Sequence, residues 1–297
     1  MKMVSPRSLL QLRSLCRSQS SGKFLAPAES VSSGRREYSS KESLVSVAVN
    51  DKTGVATVTM GRPPVNGLNL ELIQELTSTL ESLEKNKSRG MILTSAFPTV
   101  FSAGLDIMEM YRPKADRVRA FWTALQDMWL KLYSTPYPTV AAINGHSPAG
   151  GCLLSVSCEY RVMVGPKFTI GLNETQLGIV APTWFQLSFR NVVKHRDAEM
   201  ALTLGKMFTT EEALKIGLID EVASDAKDAI GKAEKFIGQF AKISPVARSM
   251  TKVQYRAETI NWLVKNKESD LNQFLTFVND PKVQKGLELY LESLKKK

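Results

Sequence analysis

Apolar and polar positions alternate along Leu44–Val49 and again along Val55–Met60, and the run between them, Asn50-Asp51-Lys52-Thr53-Gly54, is rich in turn formers. Period-two patterning on both sides of such a run predicts a β-hairpin. The period then changes. Leu72, Ile73, Leu76, Leu80 and Leu83 recur at helical spacing behind Asn69, which predicts an amphipathic helix capped by that asparagine. Met91–Thr94, Thr139–Ile143 and Tyr160–Val164 have the length and apolar character of short buried strands. Between the first two, Asp116–Tyr133 carries a helical stripe of Phe121, Leu125, Met128, Trp129 and Leu132. Thr210–Gly217 reads as a short capped helix stopped by its glycine. From Ala226 onward the pattern is helical almost throughout, with breaks near Ser244-Pro245 and Asp280-Pro281. Strand and helix alternate up to about residue 225, the signature of an α/β core, and a helical appendage follows.

Composition narrows the class. A chain of 297 residues at 43% hydrophobic and 23% charged is globular, one large domain or two small ones. It is neither collagen-like nor low-complexity. No stretch reaches the run of about 18 apolar residues that a membrane helix needs, so no span is expected. Three cysteines, Cys16, Cys152 and Cys158, are too few for a disulfide framework, and two histidines exclude a Cys/His metal cluster. No metal site is expected.

The net charge of +10 is unevenly spread: residues 1–40 hold seven bases and two acids, which is half of it. The remainder is only mildly basic, so a nucleic-acid partner is not expected. Those first forty residues also hold eleven serines, and Leu9, Leu10, Leu12 and Leu15 lie among Arg7, Arg13 and Arg17. Basic, serine-rich and late in acids, the segment reads as a mitochondrial transit peptide directing the chain to the matrix, with plastid import as the competing address. It lacks the 7–15-residue apolar core of a secretory signal. Arg36-Glu37-Tyr38-Ser39 is similar to a matrix-peptidase site cut after Tyr38. The expected division is therefore 1–38 as transit peptide, 41–240 as core and 241–297 as a C-terminal helical region.

Two glycine-bearing segments depart from core patterning. Phe101-Ser102-Ala103-Gly104-Leu105-Asp106-Ile107 follows a strand and opens into a predicted helical stretch. Ile143-Asn144-Gly145-His146-Ser147-Pro148-Ala149-Gly150-Gly151-Cys152 follows another strand and runs into an apolar helix. Small residues let backbone amides approach a ligand, and a helix start leaves N–H groups free at the positive end of the dipole. Such amides suit an oxygen that becomes negative during reaction. Either segment alone is weak, because glycines at a strand–helix junction are more often packing devices.

Together, in this order and about 45 residues apart, and followed by Glu174 within Gly171–Ile179, they resemble the crotonase (enoyl-CoA hydratase/isomerase) superfamily over roughly residues 44–260. Pro64–Asn69 is similar to that family's early CoA-contacting loop. The resemblance implies an α/β fold, a ClpP/crotonase-like spiral of ββα units, with C-terminal helices that join a homotrimer. It implies that the amides of Leu105 and Gly150 form an oxyanion hole for a thioester carbonyl. It further implies that Ala103, Gly104, Leu105, Asp106, Ile107, Gly150 and Asn173 contact a fatty enoyl-CoA. No separate cofactor is implied, since CoA arrives as part of the substrate.

Hydratases of the family carry two glutamates, one directly after the Gly-Gly-Cys motif and one matched by Glu174. Here the first position is Leu153. A single carboxylate suits movement of a proton from C2 to C4 of a 3-enoyl-CoA, giving the trans-2-enoyl isomer, a step in β-oxidation of unsaturated fatty acids. Glu174 is then both base and acid, with its pKa raised by apolar neighbours such as Leu153. The stretch Ile179-Val180-Ala181-Pro182-Thr183-Trp184-Phe185 resembles the isomerase branch, and the Trp184 and Phe185 rings are expected to narrow the acyl pocket. Alternatives within the fold are dienoyl-CoA isomerisation and thioester hydrolysis. A different class, an RNA-binding homologue with little catalysis, lacks a lysine stripe to support it. His146 and Cys152 read as structural, and His195 as part of a solvated helix start.

Overall fold

Val45–Val49 (β1) and Val55–Met60 (β2) form the expected hairpin, paired antiparallel from Val45↔Met60 to Val49↔Ala56. They begin the part of the chain that the computed structural model describes, residues 43–295. The transit-peptide reading and the cut after Tyr38 lie outside the described residues. Gly90–Ser95 (β3), Thr139–Ile143 (β4), Ser147–Pro148 (β5), Tyr160–Val164 (β6), Thr169–Gly171 (β7), Phe208–Thr209 (β8) and Glu221–Ala223 (β9) follow. The main sheet runs β1-β2-β3-β4-β6-β9, parallel from β2 onward, and a small second sheet runs β5-β7-β8.

The helices are Leu70–Lys85 (α1), Ala115–Tyr133 (α2), Gly150–Ser157 (α3), Thr183–Arg190 (α4), His195–Leu204 (α5), Thr210–Ile216 (α6), Ala226–Gly238 (α7), Pro245–Tyr255 (α8), Ala257–Val278 (α9) and Pro281–Lys295 (α10). Single 3-10 turns lie at Ile107–Glu109 and Glu174–Leu177.

Strands β3 and β4 are buried at every position, because a parallel sheet with helices on both faces has no solvated side. Their side chains alternate between two cores. Met91, Leu93, Ala141 and Ile143 join the large core that also holds α1 and α2, whereas Ile92, Val140 and Ala142 meet Ala229, Ala233 and Ile237 of α7. The spacing of those three α7 residues is one helical stripe, and the two alanines let the helix lie close to the sheet.

Helix α1 begins as its sequence requires. Asn69 is extended and its Oδ1 accepts from the Leu72 amide at 3.1 Å. Leu72, Ile73, Leu76, Leu80 and Leu83 are all buried, each contributing roughly 2 kcal/mol of apolar transfer. Helix α6 closes with Gly217 in the left-handed region and opens with a capping box between Thr209 and Glu212. The C-terminal helices break at Ser244-Pro245 and Asp280-Pro281 as expected, and once more at Arg256, which the apolar pattern does not mark. The Arg256 guanidinium bonds the carbonyls of Tyr133 and Ser157 at 2.9 Å each, so the junction is anchored to the ends of α2 and α3. Beside it, Lys252 Nζ donates to Thr135 Oγ1 at 2.7 Å and to Glu159 at 2.9 Å.

Candidate active site

Leu105 and Gly150 meet at the centre of the candidate site. Leu105 forms a parallel bridge with Leu68: the Leu68 amide donates to Gly104 O at 2.8 Å and the Asp106 amide to Leu68 O at 3.1 Å. That register leaves the Leu105 amide outside the bridge. Gly150 is the first residue of α3, where an amide has no intrahelical acceptor. A methyl carbon built on Gly150 would stand 3.1 Å from the Leu105 nitrogen, and one built on Gly104 would stand 3.1 Å from the Gly150 nitrogen. Gly104 itself has φ of +90°, a conformation that glycine alone adopts without strain. Two segments distant in sequence therefore present neighbouring amides across a gap that only glycines leave open.

Glu174 approaches from the second sheet. Ile170 and Gly171 of β7 pair with Ser147 and Pro148 of β5, and the Ala149 amide donates to Gly171 O at 2.8 Å. The chain running off β7 thus starts beside the beginning of α3 and reaches Glu174 three residues later. Glu174 opens its 3-10 turn, whose end is set by Gly178 in the left-handed region. Its side chain is only 8% exposed. Oε2 is buried with no hydrogen-bond partner. Burial pushes its pKa up to about 7, against a smaller opposing effect from its own backbone amide. The nearby Glu174 charge adds to the desolvation that holds the Cys152 thiol well above its ordinary range. Leu153, at the position of a second carboxylate in two-glutamate relatives, is completely buried and apolar.

The other candidates divide. Ala103 is exposed, and its amide donates to Val65 O at 3.0 Å. Ile107 lies against the large core. Asp106 caps the following turn through the Met108 amide at 2.9 Å and pairs with Arg62 at 2.7 Å. The helical stretch expected after this segment is only the Ile107–Glu109 turn, since Pro113 intervenes before α2. Asn173 holds Oδ1 buried without a partner, next in sequence to the unpartnered Glu174 Oε2.

His146 accepts the Thr169 amide on Nδ1 at 3.2 Å and lies edge-on to Phe168, a role in holding β7. Cys152 and Cys158 are buried free thiols, and burial pushes Cys158 up to about 12. Trp184 corrects the reading that its ring narrows an acyl pocket. Its indole is fully buried and sits edge-on to Trp122, Trp129 and Phe185, with its N–H on Asp270 at 3.3 Å. The helical period marks the buried face of α4 but does not say whether that face meets core or ligand. Among the described residues no group of three or more His, Cys, Asp or Glu side chains could hold a metal ion.

One residue of the Pro64–Asn69 loop and one of the first glycine-bearing segment hold the first amide in place, a role that no local pattern marks. Asn66 is fully buried, and its Nδ2 donates to Phe101 O at 3.0 Å and Ser95 Oγ at 2.8 Å while its Oδ1 accepts from the Arg62 amide at 2.8 Å. Ser102 Oγ donates back to Asn66 O at 2.7 Å. Glu109 is also buried, within bonding distance of α1 and α2. An asparagine before a glycine signals a turn, but nothing in the sequence says what that turn touches.

A parallel sheet flanked by helices carries two glycine-lined amides, and a buried carboxylate lies on the turn that follows the strand paired next to them. Residues 50–297 match the family model described as enoyl-CoA hydratase/isomerase, and the chain belongs to that family. The enoyl-CoA delta isomerase 1, mitochondrial, of Mus musculus is 45% identical over 266 residues, covering 89% of this chain and 91% of its own. The Homo sapiens protein of that name is 43% identical over 264 residues, covering 88% and 86%. The crystal structure of human mitochondrial delta3-delta2-enoyl-CoA isomerase aligns with a TM-score of 0.82 at 43% identity, covering 85% of this chain and 98% of that one. The crotonase fold expected from the motifs is thus the fold of this chain.

Proposed function

We propose that this protein is a Δ3,Δ2-enoyl-CoA isomerase that converts 3-cis- or 3-trans-enoyl-CoA to trans-2-enoyl-CoA during β-oxidation of unsaturated fatty acids. Glu174 takes a proton from C2, and the C–H electron pair moves into a dienolate whose negative charge rests on the thioester oxygen. The amides of Leu105 and Gly150 donate to that oxygen, a form of stabilisation that costs about 3 kcal/mol of barrier when one donor is lost. The carboxyl then returns its proton to C4, the C2–C3 double bond forms, and the carbonyl is restored. Proton and electron pair balance within the substrate, so the step calls for no metal or redox cofactor, and CoA is the carrier on which the acyl chain arrives. Asn173 and the segment Ala103–Ile107 would line the thioester's seat.

The observation that carries this reading is the isolation of Glu174. Water addition ordinarily shares its proton transfers between two carboxylates. Here the second position is Leu153, and no charged neighbour contributes to the Glu174 shift. A pKa near 7 suits a group that must both accept and return a proton near neutral pH. The names of the mouse and human relatives support the same reaction and a mitochondrial address, and the basic amino-terminal segment supports import to the matrix. A homotrimer would cover apolar side chains left exposed near the Glu174 turn, such as Val180 and Leu204.

The test is an assay of purified residues 39–297 against 3-enoyl-CoA substrates of several chain lengths, following the conjugated thioester by its ultraviolet absorption. Steady conversion to the trans-2-enoyl product is expected. Absence of turnover at every length, or water addition as the main reaction with trans-2-enoyl-CoA, would overturn the assignment.

A further inference from the structure

Glu109 lies four residues beyond Leu105 and is 4% exposed, yet the proton transfer has no use for it. Its carboxylate joins three parts of the chain. Oε1 accepts from the Leu70 amide at 3.0 Å and from Arg117 at 2.6 Å, and Oε2 accepts from Arg117 Nε at 2.9 Å. Leu70 is the first residue of α1, where the amide is unsatisfied by the helix and the dipole favours a negative partner. Two residues earlier, Leu68 makes the bridge that holds Leu105.

The loop between these contacts is stiff. The Glu109 amide donates to Asp106 O at 3.0 Å, the Met110 amide to Ile107 O at 2.9 Å, and Asp106 caps Met108. Residues 105–110 are therefore tied at both ends to the stretch Leu68–Leu70, once through backbone at Leu105 and once through the Glu109 side chain. A segment held only by the Leu68 bridge could pivot about it. The Glu109 tie acts with the Asp106–Arg62 pair and the bond from Gln284 to Met110 O to remove that freedom.

We propose that Glu109 is a positioning residue that fixes the Leu105 amide in its orientation toward the thioester oxygen. The inference rests on the reading of Leu105 as an oxyanion donor. It accounts for a buried carboxylate at this place. Its side chain spans from the turn to the α1 start, and its charge is balanced by Arg117, which also binds Glu71 through two bonds of 2.9 Å. Loss of Glu109 therefore leaves Arg117 paired.

Two variants test it. Glu109→Ala removes the tie from one side. Leu70→Pro removes it from the other, by deleting the N–H at the first helical position, where proline is tolerated; Asn69 before it is already extended, at φ −96° and ψ 173°. The probe is trans,trans-2,4-hexadienoyl-CoA, whose absorption moves to longer wavelength when its carbonyl is polarised. In the unaltered protein a red shift on binding is expected. Both variants should lose most of it, with kcat down about 100-fold, the effect of a small misplacement of catalytic groups, and KM little changed. Glu71→Gln, which leaves the Glu109–Leu70 tie intact, should keep the full shift. A red shift equal to that of the unaltered protein in either variant, once circular dichroism shows it folded, overturns the proposal. No shift in the unaltered protein overturns the oxyanion reading itself, whatever the variants do.

Discussion

Trp184 donates its indole N–H to Asp270 across 3.3 Å, and the carboxylate oxygen that receives it also accepts from Trp122 and Gln126 at 2.8 Å each. A buried carboxylate thus meets three neutral donors from two helices. It ties α4, the first helix after the Glu174 turn, to α2 and α9. Asp270→Ala strands both indole N–H groups in a region closed to water, while Gln126 keeps the Lys267 carbonyl at 3.0 Å. Unfolding in urea should show a loss of about 3 kcal/mol, in line with the cost of unsatisfied buried polar groups. An unchanged midpoint and slope would show that the cluster carries no net stability.

The acid–base role proposed for Glu174 makes a prediction about pH. With its pKa near 7, Glu174 is an active base only above that value, so kcat should climb as pH rises through about 7 and level off beyond it. Glu174→Gln should cut turnover by about 1,000-fold or more while substrate binding persists. A variant with undiminished turnover would remove Glu174 from the mechanism.

The same shift affects folding, and its sign is opposite to that of most carboxylates. The folded pKa lies above the ordinary value of 4.5, so between the two the native state binds the extra proton. Stability is fully present at lower pH and declines as pH rises from about 4.5 to 7, by roughly 3 kcal/mol in total. Glu174→Gln should abolish that slope. Denaturation curves at pH 4.5 and 8 for both proteins measure it, and parallel behaviour of the two would contradict the buried, uncompensated charge.

Two glycines separate packing from chemistry. A methyl group at Gly150 would lie 3.0 Å from Leu68 Cδ1 and 3.1 Å from the Leu105 nitrogen. Gly150→Ala should therefore lower kcat by about 100-fold through displacement of the amide pair. Gly231, exposed within α7, has nothing within 4 Å of such a methyl group. Gly231→Ala should raise stability by about 1 kcal/mol and leave turnover unchanged. Equal kinetics for the two variants would argue against a special role for Gly150.

Leu153→Glu restores the residue type of two-carboxylate relatives at a completely buried position of α3. It should destabilise the protein by about 4 kcal/mol, because the new carboxyl enters an apolar core with no partner waiting. Appreciable water addition to trans-2-enoyl-CoA by this variant would show that one residue decides between hydration and isomerisation.

Much of the architecture was legible from local pattern. The hairpin, the Asn69 cap, the α2 stripe, the glycine stop of α6 and the Pro245 and Pro281 breaks all rest on contacts between residues near in sequence. The break at Arg256 was not, because its cause is a set of carbonyls about one hundred residues away. The motif pair singled out Leu105, Gly150 and Glu174 through resemblance. The same reading placed Trp184 in an acyl pocket and left Glu109 unnoticed, since neither the Asp270 acceptor nor the α1 amide lies nearby in the chain.

Period, caps and punctuation depend on neighbours within a turn or a strand pair, and these the chain of residues determined by itself, along with the apolar residue that stands where a second acid might have been. Folding alone decided which amides face each other, how deeply Glu174 is buried and therefore where it titrates, and which side chains brace the loop behind Leu105. Those properties arise from groups tens of residues apart being brought out of water together. Desolvation and hydrogen-bond geometry are set by that joint enclosure.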